Sequence, residues 1–337
     1  MRLAQSSDRV VGVDLARWVA LVAMFVAHTA PSAGPANLLA YADFLAAPLF
    51  AVLLGAAARF SSSTMSFPAL FASSVVRGIA LVALGLYLGT WGAQVDIVLQ
   101  YLGVLAIVIA PLVFLPTWAL GLIGAAAWWV APLASTYFVQ DAAAAASAGW
   151  WRSYAYDWLV TGQHYQVLTL LVYACVGALL ASGLERWGAA GDAAVAVAAT
   201  GVLAAVFWYL PSAGLTLVPY SVSRIEIAVS LLLATASVGW CCLLARAVGD
   251  KEQLVAPVLY AGRMTLTLYV LQVAALAAYS AYAPGYGWPA SDDSWYMLAG
   301  LVVGASLFAL VWRHFLGATA LYRGPLETIL ALLTGRG

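Results

Sequence analysis

Val10 to Ala30 reads VVGVDLARWVALVAMFVAHTA, an apolar run of helical length that carries Asp14, Arg17 and His28. About twenty mainly apolar residues are what a helix needs to cross a bilayer, and ionisable groups at that depth point to function. Arg17 and His28 are eleven residues apart, so an ideal helix sets them about 20° apart in azimuth and about 16 Å apart along its axis. They share one face. Asp14 lies three residues before Arg17, on the same stripe and within pairing distance. Such a stripe needs a protein interior or a cavity to face.

The rest of the chain has the same character. It is 65% hydrophobic and only 8% charged, with a mean hydropathy of +0.95, whereas a soluble domain carries about 25% charged residues. The expected fold is an all-α polytopic membrane protein with ten transmembrane helices, a single integral domain over residues 1–337. The spans are read at 10–30, 38–58, 74–92, 95–115, 117–138, 166–184, 191–211, 222–246, 257–282 and 293–314. The first is read as a retained span rather than a signal peptide, because its apolar region is long, carries Asp14 and Arg17, and lacks a small-residue cleavage site.

Cytoplasmic loops are enriched in Lys and Arg. With the N-terminus inside, ten of the 14 basic residues fall on the inner side: Arg2, Arg9, Arg59, Arg77, Arg186, Arg246, Lys251, Arg313, Arg323 and Arg336. Arg152 and Arg224 fall near the outer side. Both termini are therefore expected in the cytoplasm, and the protein in the cytoplasmic (inner) membrane as a multi-pass protein. The tail, 318–337, contains GPLETILALLTGRG and reads as an amphipathic helix on the inner surface. Cys175, Cys241 and Cys242 lie within spans and are expected to be small buried residues rather than a disulfide framework. Three scattered histidines build no metal site, and a net charge of zero without a basic run gives no reason to expect nucleic acid as a partner.

His28, near the outer end of the first span, is the candidate general base, since a neutral imidazole takes up a proton near physiological pH. Asp43 enters the second span from the outer side and is expected to orient His28 across the short outer loop. In GRMTLTLYVLQ, Arg263, Tyr269 and Gln272 interrupt an apolar helix. Arginine presents a planar fork of donors suited to phosphate, so Arg263 is the expected docking point for a phosphorylated donor, with snorkelling to headgroups as the alternative. Gln100 and Tyr101 are expected to extend the same polar cavity. Arg224 and Glu226 either end a helix or line an acceptor side. His164 lies in an outer loop rich in Trp and Tyr, as an interfacial belt would be.

Arg17, ten residues and then His28 resembles the R-x10-H signature of the transmembrane acyltransferase superfamily, and VGVDLAR resembles the opening of its members. Asp43, Pro48, Phe50 and Gly55 are similar to a pattern in its heparan-α-glucosaminide N-acetyltransferase branch. GRMTLTLYVLQ and GPLE resemble the YeiB-like bacterial membrane proteins, which often have Asn where His28 stands. The resemblance implies transfer of an acyl group, acetyl first among the candidates, from cytoplasmic acyl-CoA to a hydroxyl or amine of an extracytoplasmic glycan or lipid of the cell envelope. Carried over residue by residue, it makes His28 the base and leaves Arg17 to hold the stripe or the donor. Asp14, Arg17, Arg263, Tyr269 and Gln272 would then serve the acyl-CoA co-substrate, and no metal is required. The lipid bilayer is the other expected partner, and self-association as a homo-oligomer is left open. Two rivals share the same residues: a proton-coupled transporter or flippase without acyl transfer, and a structural subunit whose polar stripe is an interhelical contact.

Overall fold

The computed structural model describes residues 2–289 and 291–335; the side chains of 2–10, 36, 184–186, 250, 252 and 254 stand outside that description. Arg336, and the side chains of Arg2, Arg9 and Arg186, therefore lie outside the described residues. Those described form helices and connecting turns, with no strand. In chain order the helices are α1 (Arg2–Thr29), α2 (Ala42–Ser62), α3 (Phe67–Gly89), α4 (Leu99–Leu112), α5 (Thr117–Ser147), α6 (Arg152–Tyr156), α7 (Val167–Ser212), α8 (Arg224–Val248), α9 (Ala256–Arg263), α10 (Thr265–Tyr282), α11 (Trp295–Leu316) and α12 (Pro325–Leu333).

Eight helical stretches among the described residues are long and apolar enough to cross a membrane, and Leu99–Leu112 and Val167–Gly183 are shorter apolar helices. The protein is thus an all-helical, multi-pass membrane protein. α7 has two arms that meet at Gly188, where φ is 64°, a conformation open to glycine without the steric penalty other residues meet. α5 runs on to Ser147, so the alanine-rich segment read as a loop is helical, in keeping with the high helix propensity of alanine.

α1 and α2 sit centrally. α1 packs on α2, α8, α9 and α11, α2 packs on α7, and α7 on α8, while α3 and α4 pair with each other and α5 covers α7. α5 and α11 turn large apolar side chains outward, including Trp118, Trp129, Tyr137, Tyr296 and Phe315. Water would make these a liability, but lipid requires them. At the centre, backbones touch. A Cβ on Gly55 would stand 1.9 Å from the Ala174 carbonyl oxygen, and one on Gly177 would stand 1.9 Å from that of Val52.

Local signals start several helices. Ser223 caps α8 by accepting the Glu226 N–H at 3.2 Å, the S-x-x-E arrangement of a capping box. Ser294 likewise accepts from the Met297 N–H at the start of α11. The ninth span, read as one helix over 257–282, is broken. Met264, at φ −112° and ψ 29°, separates α9 from α10.

Candidate functional site

Asp14 joins α1 to α9. Its carboxylate accepts from Arg17 Nη1 at 3.1 Å and from Arg263 Nε at 2.7 Å, and the residue is 2% exposed. Both arginine side chains are only about one-third exposed (35% and 32%), and charge-assisted bonds of this kind are the strong ones. Next to Arg263, Gly262 lies so close that a Cβ there would sit 2.0 Å from the Asp14 carbonyl oxygen. The stripe read from α1 is therefore two layers deep. Arg17 and Arg263 line a cavity of about 350 Å³, while Asp14 lies behind them and fixes them in place.

Arg77 of α3 and Arg323 of the tail line the same cavity, so four arginines converge on it. Leu53, Leu54 and Leu102 make its walls apolar. The floor is the tail. Leu330, Ala331 and Thr334 line the cavity, and Glu327 accepts from the Thr267 N–H at 3.0 Å and its hydroxyl at 2.5 Å. Thr267 belongs to the first turn of α10, whose free N–H groups and positive dipole end suit a carboxylate. The tail helix thus turns into the bundle on one side, while Ile329, Leu332 and Leu333 on the other remain exposed, as an interfacial helix would leave them.

Burial raises the Glu327 carboxyl above its ordinary range, outweighing the bonds from Thr267 that pull it down. A group raised in the docked state favours docking most fully when protonated, below roughly pH 4, and that contribution is lost as the pH rises through the raised value. Docking of α12, read by a fluorophore on Leu332→Cys in nanodiscs, is expected to tighten as the pH falls from 8 toward 4. In Glu327→Gln the pH dependence should vanish.

Tyr269 also lines the cavity, its hydroxyl accepting from the Val98 N–H at 3.2 Å. One turn further along α10, buried Gln272 donates through Nε2 to His28 Nδ1 at 2.9 Å. With Nδ1 accepting, the imidazole proton sits on Nε2. The Gln272 Oε1 is left without a partner, and a half-turn of the amide would present it to an Nδ1–H instead and free the Nε2 lone pair for a substrate proton. Gln272 thus holds the His28 ring by a hydrogen bond, and neither residue lines the arginine cavity.

Asp43 is placed elsewhere than expected. Its carboxylate accepts from the Tyr220 hydroxyl at 3.2 Å, within a second cluster at the far end of the bundle. The reason is local: residues 35–41 form a tight 3-10 turn, and α2 then presents Asp43 toward the loop before α8 rather than toward α1. Tyr220 and Val222 in that loop both have positive φ, 60° and 54°, which is unusual for an aromatic and more so for a β-branched residue. Around them His164 Nδ1 meets Asp96 Oδ2 at 2.9 Å, and the Tyr101 hydroxyl donates to Asp157 at 3.1 Å. Burial pushes the Asp157 carboxyl up, against the bond from Tyr101. Tyr101 therefore belongs to this cluster and not to the arginine cavity, and Gln100 packs against Gly85 of α3. Arg224 lies over the Trp129 ring at 4.1 Å, and Glu226 faces inward.

The sequence placed Arg77 and Arg323 only among the inner-side arginines expected near the donor, and it assigned no site role to Glu327, Asp96 or Tyr220. The GPLE segment held one usable sign, a carboxylate in an otherwise apolar tail helix. The others join positions far apart in the chain. No family model matches the chain, and neither a curated protein nor a solved structure matches it.

Proposed function

We propose that the protein is an acyl-CoA-dependent acyltransferase of the cytoplasmic membrane, with ten spans and both termini in the cytoplasm. It would carry an acyl group, acetyl in the first instance, to a hydroxyl or amine of an extracytoplasmic glycan or lipid. The observation that supports this reading is the cavity of about 350 Å³ where Arg17, Arg77, Arg263 and Arg323 meet apolar walls, within the roughly 300–1,000 Å³ of small-molecule sites. Guanidinium forks suit the phosphates of a nucleotide, and leucine walls suit a pantetheine arm. Tyr269 of α10 lines this cavity and Gln272 of the same helix bonds His28, so in this reading the thioester passes along α10 to reach the imidazole.

In the reaction, the acceptor oxygen or nitrogen attacks the thioester carbonyl while His28 takes its proton. The carbon–sulfur bond then breaks, and the thiolate leaves with the proton returned by the imidazolium. Gln272 sets which imidazole nitrogen is free.

Acetyl-CoA is expected to raise the thermal midpoint of the protein in nanodiscs saturably. Arg323→Gln, which removes a cavity arginine without touching Asp14, should weaken that binding about tenfold, or about 1.4 kcal/mol. His28→Ala should keep the binding and lower transfer of labelled acetyl to envelope glycolipids by about 10²–10⁴-fold. An unchanged midpoint at millimolar acetyl-CoA would sink the proposal.

The break at Met264 beside the charged cavity favours one second reading. Discontinuous helices form substrate sites in secondary transporters, and a transporter or flippase would move its cargo without turnover of acyl-CoA.

A further inference from the structure

The far cluster contains a second, much smaller pocket of about 30 Å³, lined by residues of α2, the start of α7, the loop before α8 and α8 itself. One water needs roughly 10–15 Å³ measured this way, so the pocket admits a small ion or one or two waters but no metabolite. Its lining is rich in oxygen. Asp43 and Glu226 bring carboxylates, Gln166 an amide and Thr169 a hydroxyl. Gln166 is 3% exposed and Thr169 9%, yet Gln166 Oε1 and Thr169 Oγ1 have no hydrogen-bond partner. An orphaned buried polar atom is costly enough that natural folds rarely keep one. Here two of them line one pocket.

Among the described residues no basic side chain is recorded at ion-pair distance from Asp43 or Glu226: His164, which also lines the pocket, is engaged with Asp96, and Arg224 lies over Trp129. The carboxylates have neutral donors instead, Tyr220 for Asp43 and Ser230 for Glu226. Two carboxylates removed from water call for a positive charge.

We propose that this pocket is a sodium site, with the carboxylates of Asp43 and Glu226, Gln166 Oε1 and Thr169 Oγ1 as its oxygen ligands. Hard cations take such oxygens. Among the described residues no group of three or more acidic, histidine or cysteine side chains comes together, and two carboxylates with two neutral oxygens fall short of the roughly six to eight oxygens that calcium takes, so the set is assigned to a singly charged ion. The small volume favours sodium over potassium. The site does not depend on the acyl-transfer reading, because its ligands are separate from the arginine cavity.

The test uses the full chain in nanodiscs at constant ionic strength, with sodium, potassium, calcium or choline as the chloride salt. Sodium is expected to raise the thermal midpoint saturably, and potassium and choline should not. Binding of ²²Na⁺ should saturate alongside. Thr169→Val, which preserves shape, should raise the half-saturating sodium concentration about tenfold, and Glu226→Gln should abolish the response. Equal stabilisation by all the salts, stabilisation by calcium alone, or a sodium response untouched by Thr169→Val would overturn the proposal and leave the pocket to ordered water. No CoA enters the measurement, so its outcome is separate from that of the acyltransferase test.

Discussion

Gly55→Val is expected to abolish recovery of the folded protein. A Cβ at Gly55 already lands 1.9 Å from a backbone oxygen of Ala174, and the reciprocal position, Gly177, faces Val52 in the same way. Neither obstacle is a flexible side-chain tip, so α2 and α7 must separate as whole helices. Between lipid-facing helices, association rests on close backbone approach and van der Waals packing rather than on a hydrophobic force. Lost contact along this central pair cannot be recovered elsewhere. Overpacking usually costs about 1–3 kcal/mol, and displacing two backbones should bring Gly55→Val to roughly 3 kcal/mol or more. Size-exclusion chromatography in detergent checks it: aggregate for Gly55→Val, but a wild-type profile for Gly89→Ala, where nothing lies within 4 Å of the added carbon. A monodisperse Gly55→Val protein with an unchanged thermal midpoint would refute the packing argument.

The second large effect is expected for Asp14→Ala. It leaves the guanidinium groups of Arg17 and Arg263 facing each other with their shared carboxylate gone. Removing one partner of a buried ion pair costs about 3–5 kcal/mol, and the partial exposure of both arginines puts the expected loss at the low end, about 3 kcal/mol. The double variant Asp14→Ala with Arg263→Leu should be less impaired than the sum of its two single variants, because the second change removes a charge that the first had stranded. Thermal midpoints of the three variants in nanodiscs decide this, and strict additivity would count against the ion triad.

Half of that triad was legible in the sequence. Asp14 and Arg17 are three residues apart on one helix, and helical geometry alone pairs them. Arg263 was readable as a charge in an apolar segment, but its bond to Asp14 joins residues 249 positions apart, which no local rule reaches. The stripe of Tyr269 and Gln272 was visible in the same way, while their separate tasks were not. Tyr269 lines the cavity and bonds Val98 while Gln272 holds His28, because α10 meets two different neighbours along its length.

Hydropathy indicated the helices well wherever lipid alone decides them. It missed the break at Met264, where neither glycine nor proline stands. That break is set by tertiary contacts: Gly262 lies against the α1 backbone on one side, and on the other Glu327 satisfies the first turn of α10. Asp43 was assigned to His28 because a short loop joins their helices. Chain proximity was a poor guide, since a helix turned about its own axis presents a different neighbour to each residue.

The Asp14 triad also orders the birth of the protein. When α1 first enters the bilayer, its carboxylate is already matched by Arg17, so an early helix carries no net charge from this pair into lipid. Arg263 emerges 249 residues after Asp14, and only then does the carboxylate acquire its second partner and bind α1 to α9. A polypeptide truncated before α9 would keep the Asp14–Arg17 pair yet lack the bond that closes α1 on α9.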